Sequence, residues 1–218
     1  MSDLNRAEIS AMRRSYGEKG LSEGEVHADP YAQFHRWLGE AAENSYIVEA
    51  NAMVLSTVAQ NQPSSRTVLL KDLTDAGFTF FTNYESRKGQ EIAGNTGVSL
   101  LFPWYAMERQ VVVIGSAQRV SKEASDEYFA SRPWSSQIGA WASSQSSELS
   151  SREELEIRYQ EFTAKYPEGS IVPRPEHWGG FVVQPTSIEF WQGRYSRLHD
   201  RIRYLRIDGV WERKRFYP

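Results

Sequence analysis

Three short runs, AMVLSTV (52–58), RTVLLK (66–71) and FTFFTN (78–83), follow one another with connections too short to carry a helix back across a sheet. Each is rich in β-branched and aromatic residues. Strands joined this closely pair antiparallel, so a meander is the simplest topology. Asn61-Gln62-Pro63 supplies the turn between the first two. Further strands are read at 98–102, closed by Pro103, and at 109–120, where Gly115 marks a bulge or bend. Another covers 180–191, and 203–207 with 210–216 flank Asp208-Gly209, a two-residue hairpin signal. Together these strands suit a small barrel or strongly curled antiparallel sheet.

Helices lie outside that sheet, giving a mainly β chain with peripheral helices (α+β). Asp29-Pro30 starts one, and Phe34, Trp37, Leu38, Ala41 and Ala42 follow at helical spacing as core packing. Ser86 caps a second, which ends near Asn95-Gly97. Ser121 caps a third, which stops before Pro133. Residues 135–142 are ambiguous. Ser150 and Glu153 form a capping box leading into a fourth helix with Leu155, Tyr159, Phe162 and Tyr166. Residues 1–28 read as a short helix and a flexible, glycine-rich arm, and residues 29–218 as a single domain.

A net charge of -3 and a pI near 5.9 argue against a general nucleic-acid binder. Cysteine is absent, which removes disulfides, thiolate nucleophiles and zinc–cysteine sites. No apolar run reaches the ~18 residues of a membrane span, and the polar N-terminus lacks a signal-peptide core. A cytoplasmic protein is expected. There is no GxGxxG, Walker or GxSxG motif, no carboxylate dyad, and no metal-ligand spacing among His27, His35, His177 and His199. No metal is expected, and the chemistry falls to a bound organic cofactor.

Cations gather at strand ends and helix starts: Arg66 and Lys71, Arg87 and Lys88, Arg132, and Arg197 with Arg201. Arg87 and Lys88 occupy the first turn of a helix, against the dipole preference, which suggests a phosphate held between them. For an arbitrary Arg-Lys pair a solvated patch is commoner. Strand parity puts Arg66 and Lys71 on opposite faces, so one site using both needs a bulge. In IEFWQGRYSRLHDR (188–201), Arg197, His199 and Arg201 are spaced by two, and an extended backbone would aim all three at one face. Such a face suits a planar or anionic ligand, or it is a charged strand edge that blocks aggregation.

FTNYESRKGQEI (81–92), SLLFPWYAMERQV (99–111), YFASRPWSSQIGAWASSQSS (128–147), WGGF (178–181) and EFWQGRYSRLHDRI (189–202), together with RTVLLK, resemble the pyridoxine/pyridoxamine 5'-phosphate oxidase family. The likeness runs in order from about Arg13 to the C-terminus. It implies an FMN-binding split β-barrel, a homodimer with FMN at the subunit interface, and oxidation of pyridoxamine or pyridoxine 5'-phosphate to pyridoxal 5'-phosphate with O2 reduced to H2O2. The implied FMN residues are Arg66, Thr67, Val68, Leu69, Leu70 and Lys71, then Phe81, Thr82, Arg87 and Lys88, and finally Gln110, Gln145, Ser146, Trp191 and Arg201. The implied substrate residues are Lys71, Tyr128, Arg132 and Ser136 around the phosphate. Arg197, Leu198 and His199 lie by the pyridine ring, with Arg197 and His199 in the catalytic roles. Arg13, Arg14, Ser15 and Tyr16 match a segment that folds over substrate in the family.

Helical spacing would bring Arg132 and Ser136 to one face. Three features depart from the family pattern: Phe81 replaces a tyrosine, Arg194 follows Gly193 where a small or polar residue is common, and the chain ends Arg215-Phe216-Tyr217-Pro218. A split-barrel flavin- or haem-binding protein without oxidase activity, and an OB-like nucleic-acid binder, are the competing classes.

Overall fold

The computed structural model describes residues 5–12 and 15–218. In chain order, α1 (Arg6–Ala11) and α2 (Pro30–Ala42) precede β1 (Ala52–Ala59), β2 (Gln62–Leu69), β3 (Asp72–Thr74) and β4 (Gly77–Asn83). Next come α3 (Arg87–Gly94), β5 (Gly97–Trp104), β6 (Arg109–Arg119), α4 (Lys122–Ser131), α5 (Trp134–Ala142) and α6 (Arg152–Lys165). β7 (Trp178–Gln192), β8 (Asp200–Ile207) and β9 (Val210–Phe216) complete the chain. Two compact units interleave along the sequence. The first holds the described residues up to Ala50, Pro103–Val112 and Ile188–Pro218; the second holds Asn51–Phe102 and Val113–Ser187. Among the described residues no helix is long and apolar enough to cross a membrane.

In the second unit the strand order is β2-β1-β5-β6-β7-β4-β3, an open path with β2 and β3 at its ends. β1 pairs antiparallel with β2 from Ala52↔Leu69 to Ala59↔Gln62, and β4 with β7 from Phe78↔Val183 to Asn83↔Trp178. Alternation along β1 buries Met53, Leu55 and Thr57, so the period-2 pattern of the sequence becomes one core face. Phe78 and Phe102 meet there with ring centroids 6.2 Å apart. A second cluster, of Phe129, Ile138, Val172 and Trp178, forms where α4, α5 and α6 pack beside β7.

In the first unit α2 buries Phe34 and Trp37 completely. Asp29 caps it by accepting from the Tyr31 and Ala32 N–H groups. Trp37 meets Phe190 edge-on at 5.2 Å, and Phe190 meets Tyr204 at 5.7 Å. Buried rings of this size each contribute roughly 1.5–3 kcal/mol. β8 and β9 form the expected hairpin, with Asp208 (φ 48) and Gly209 (φ 83) both left-handed at the turn.

Several expectations change. The first hairpin turns at Gln60 (φ 50) and Asn61 (φ 61), not at Asn61-Gln62-Pro63; Pro63 is already in β2, opposite Val58. Its missing N–H is tolerated because β2 ends the sheet. Pro103 does not close β5, which runs on to Trp104 past its β1 pairing at Ser99–Leu101. α6 starts one residue late: Ser151 accepts the Glu154 N–H, while Ser150 donates to the Glu154 carboxylate. The ambiguous 135–142 segment is α5, and β3 was not foreseen.

From Gly17 to His27 the arm is tied to the rest of its unit by hydrogen bonds. Gly17 N–H donates to Glu108 (2.8 Å), Leu21 N–H to Asp200 (2.9 Å) and the Tyr204 hydroxyl to His27 O (2.5 Å), while Arg215 reaches Leu21 O and Glu23. Glycine spacing suggested disorder because none of these long-range partners is legible locally.

Gly115 serves a close approach. A Cβ there would lie 2.2 Å from Gln184 O and 2.9 Å from Pro185 Cα, both backbone atoms of β7 that cannot swing aside. Gly115→Ala is expected to destabilise the protein by about 2–3 kcal/mol. The check is the urea midpoint of the ligand-free variant; an unchanged midpoint contradicts the approach.

Candidate functional site

A cavity of about 550 Å³ opens in the second unit. β2 and the residues after it supply Thr67, Val68, Leu69 and Lys71; β4 supplies Phe81 and Thr82; α3 supplies Lys88. Tyr128, Ser131, Arg132, Pro133 and Ser136 come from the α4–α5 junction, with Gln145 and Trp178 completing the wall. Three cations line this space, and none of the described lining residues is a carboxylate. Such a chamber favours an anion.

Arg132 is the clearest sign. It terminates α4, and Pro133 redirects the chain, so Ser136 sits at the start of a second helix. The two reach the cavity from either side of a helix break rather than from one helical face, which corrects the spacing argument. The Arg132 guanidinium lies 4.6 Å over the Trp178 ring. Its Nη1 is buried with no hydrogen-bond partner among the described residues. A buried unpaired donor is uncommon in folded proteins, and of such atoms among the described residues this one alone belongs to a residue that lines the cavity, where a ligand could satisfy it. Burial lowers its pKa from the ordinary arginine value.

Lys88 is the second. Ser86 caps α3 and Gly89 packs on the Tyr84 backbone, which points Lys88 inward. Its Nζ donates to Thr82 Oγ1 (3.2 Å), Ser86 Oγ (3.2 Å) and Gln145 Oε1 (2.9 Å). Burial, then the Arg66 charge, bring its pKa from 10.5 to about 8, with Glu91 opposing. Between about 8 and 10.5 the unfolded chain holds the proton and the folded chain does not, so this group makes the ligand-free fold more stable as pH rises through that window. An anion reverses the preference, since it binds best to charged Lys88. Affinity for a phosphate monoester is expected to be highest below pH 8 and to fall above it by up to about tenfold per pH unit. Titrations across this range check it, with Lys88→Met flattening the profile.

Aromatic walls suit a flat ligand. Phe81 stacks on Tyr128 with centroids 3.9 Å apart and planes at 18°, and Trp178 continues the stack 5.6 Å from Phe81. Lys71 follows the end of β2, where Lys71 N–H donates to Thr79 O (2.8 Å). Lys71 lines the cavity and Arg66 does not, so the structure does not bring the two together there, in keeping with the parity reading.

Not every expected residue lines this cavity. Leu70 is buried in the core. Ser146 is exposed at φ 74 beside Gln145. Arg66 and Arg87 both pair with Glu91, at 3.0 and 2.9 Å. Trp178, Ser131 and Glu91 were not singled out in the sequence. WGGF was the signal for Trp178, and the four-residue spacing from Arg87 was the signal for Glu91.

The remaining expected residues belong to the first unit. Arg197, His199 and Arg201 do not share one extended face. Tyr195–Arg197 forms a short turn with Ser196 (φ 55) and Arg197 (φ 61) left-handed, and β8 begins only at Asp200. Arg201 pairs with buried Glu189 beside Arg203. Trp191 and His199 pack with centroids 4.7 Å apart, and Tyr16 meets both edge-on. His199 Nδ1 accepts from Arg194 N–H (3.1 Å), which leaves the ring proton on Nε2. Burial, then the Arg197 charge, hold His199 below the ordinary histidine pKa. Leu198 and Arg197 are exposed, Gln110 is half-buried on β6, and Ser15 precedes Tyr16. Arg13 and Arg14 lie outside the described residues.

Residues 40–166 match a family described as pyridoxamine 5'-phosphate oxidase, and residues 178–218 match its C-terminal dimerisation region. A pyridoxine/pyridoxamine 5'-phosphate oxidase of Streptomyces avermitilis is 50% identical, covering 96% of each chain. One of Cupriavidus necator is 52% identical, covering 97% of this chain and 99% of its own. The structure of PhzG from Burkholderia lata, in complex with tetrahydrophenazine-1-carboxylic acid, superposes with a TM-score of 0.85 at 29% identity, covering 93% of this chain and all of that one. An FMN-binding, pyridoxamine 5'-phosphate oxidase-related protein of Nostoc punctiforme superposes at 0.70 and 14% identity, covering 88% of this chain and all of that one. That likeness shows the fold alone: a split β-barrel of antiparallel strands with helices around it, as expected.

Proposed function

Since this chain belongs to the pyridoxine/pyridoxamine 5'-phosphate oxidase family and is an oxidoreductase, we propose that it oxidises pyridoxamine or pyridoxine 5'-phosphate to pyridoxal 5'-phosphate with FMN and O2, releasing H2O2. The observation that carries the reading is the carboxylate-free chamber holding Lys71, Lys88 and Arg132, with Arg132 Nη1 unpartnered. Donors of this kind fit phosphate groups, and the ring-lined wall fits a flat heterocycle. FMN, when bound, supplies the acceptor for two electrons and passes them to O2.

The protein's own residues bind, orient and exclude water. Lys71, Tyr128, Arg132 and Ser136 take the substrate phosphate. Thr67–Leu69, Phe81, Thr82, Lys88 and Gln145 take the cofactor, with Arg66 and Arg87 at its phosphate. Arg197 and His199 are assigned to the pyridine ring by their RLHD motif. A neutral His199 with its proton on Nε2 can donate to a ring substituent. Trp191, Arg201 and Gln110 complete the cofactor set, and the protein acts as a homodimer with FMN at its interface. The dimerisation-region match supports the homodimer. A cytoplasmic location is proposed because both substrates carry a phosphate dianion and do not cross membranes unaided.

The test is the visible spectrum of the purified protein under anaerobic conditions, before and after pyridoxamine 5'-phosphate. Bleaching of a flavin spectrum, restored by air, supports the reading. An unchanged flavin spectrum refutes the oxidase and favours a non-catalytic flavin-binding split barrel. No flavin binding, even after FMN is added, refutes the cofactor assignment.

A further inference from the structure

Glu91 sits on α3 among β1 and β2, and its side chain is only 7% exposed. It accepts hydrogen bonds from Thr57 Oγ1 (2.5 Å), Ser64 Oγ (2.7 and 2.9 Å), Arg66 Nη2 (3.0 Å) and Arg87 Nε (2.9 Å). Burial alone would raise its pKa, but these donors outweigh that and hold the carboxyl at about 2. It is therefore ionised at every working pH.

The same groups fix Arg66. Its Nη1 donates to Thr57 Oγ1 (2.5 Å) and Leu55 O (3.4 Å), and its Nη2 also donates to Ser64 Oγ (2.5 Å). Arg87 is different: its side chain is 65% exposed, and only its Nε is engaged among the described residues. Lys88 is the next residue, and it feels the charges of both Arg66 and Glu91. Three cations around one carboxylate leave an excess of two positive charges, which matches a phosphate dianion.

We propose that Glu91 is a positioning residue for the cofactor phosphate: it presets the Arg66 and Arg87 guanidinium groups beside Lys88, so that phosphate meets fixed donors. The physical gain is preorganisation. Long side chains ordered before binding lose less freedom on binding. The inference rests on the FMN reading above and adds a residue that contacts arginines rather than ligand. A purely structural alternative is that Glu91 staples α3 to β1 and β2, in which case all flavins would be affected alike.

The experiment compares FMN with riboflavin, which lacks the phosphate, by quenching of flavin fluorescence on the purified apoprotein. Glu91→Ala is expected to weaken FMN by about tenfold or more while riboflavin affinity stays within about twofold. Glu91→Gln keeps the shape but offers one acceptor oxygen, so it can hold Arg66 or Arg87 and not both, and its FMN affinity is expected to fall between those of wild type and Glu91→Ala. Ser64→Ala, a smaller change on the same network, is expected to weaken FMN a few-fold and to spare riboflavin; it carries the test should Glu91→Ala fail to fold. Equal weakening of both flavins, or tighter FMN in Glu91→Ala, overturns the proposal. So does an unaltered FMN-to-riboflavin ratio in Ser64→Ala. Failure of the wild-type protein itself to bind FMN is a different result: it removes the cofactor reading, and this inference with it.

Discussion

Arg132→Ala is expected to raise the KM for pyridoxamine 5'-phosphate by about two orders of magnitude or more, with FMN still bound. Arg132 presents a buried Nη1 with no partner among the described residues, beside Lys71 and Ser136 in one cavity. A charge-assisted hydrogen bond is worth about 1.5–3 kcal/mol, so two from a guanidinium fork amount to about 3–6 kcal/mol, or roughly 10²–10⁴ in affinity. Lys71 remains, which favours the lower end. Steady-state kinetics on FMN-saturated protein check this, with unphosphorylated pyridoxamine as the control that wild type and variant should handle alike. Arg132→Lys should be intermediate, since ammonium keeps charge but loses the fork. In the ligand-free protein, Arg132→Ala removes a buried Nη1 that has no hydrogen-bond partner among the described residues but also the guanidinium contact with the Trp178 ring, so its stability should stay close to that of wild type. An unaltered KM would remove Arg132 from the phosphate site.

Arg197→Ala is expected to lower kcat by roughly two to three orders of magnitude while FMN affinity holds, a loss of orientation at the reacting centre. Arg197 is exposed and follows Ser196 into a left-handed turn, and non-glycine residues held there are strained. Such strain persists only where the surroundings enforce it. The variant carries a second signature. Burial and then the Arg197 charge lower the His199 pKa, so deleting Arg197 should move it back up toward the ordinary histidine value. Any limb of the kcat/KM profile that reports His199 should then shift to higher pH. Anaerobic single-turnover reduction of the bound flavin measures the rate; wild-type kinetics in the variant would refute the role.

The strands were legible because burial alternates with period two along β1 and β6, and because Asp208-Gly209 forces a tight hairpin. The cavity's cations were legible as clusters, and the family likeness sorted them. Harder to read were features set by distant partners. Pro63 looked like turn chemistry because the edge position of β2 depends on the finished sheet. Arg197, His199 and Arg201 looked coplanar because two left-handed residues leave no mark in a spacing argument. Arg66 and Arg87 looked like two free phosphate donors because their common partner, Glu91, reaches Thr57 and Ser64 only after α3 has docked on β1 and β2. Arg132 and Ser136 were placed together correctly but for the wrong reason, since Pro133 divides them.

The interleaving of the two units has a consequence for synthesis. Every residue lining the cation cavity lies between Thr67 and Trp178, and the unit that holds it ends at Ser187. The first unit still awaits β8 and β9, whose Asp200 and Arg215 clasp Leu21 and Glu23 across nearly the whole chain. As the chain leaves the ribosome, the unit that holds the cavity has all its residues before the other unit does, and the N-terminal segment must wait for the last strand. Contacts at such sequence separation carry a larger loop-closure cost than local ones, and that cost falls on the first unit rather than on the anion chamber.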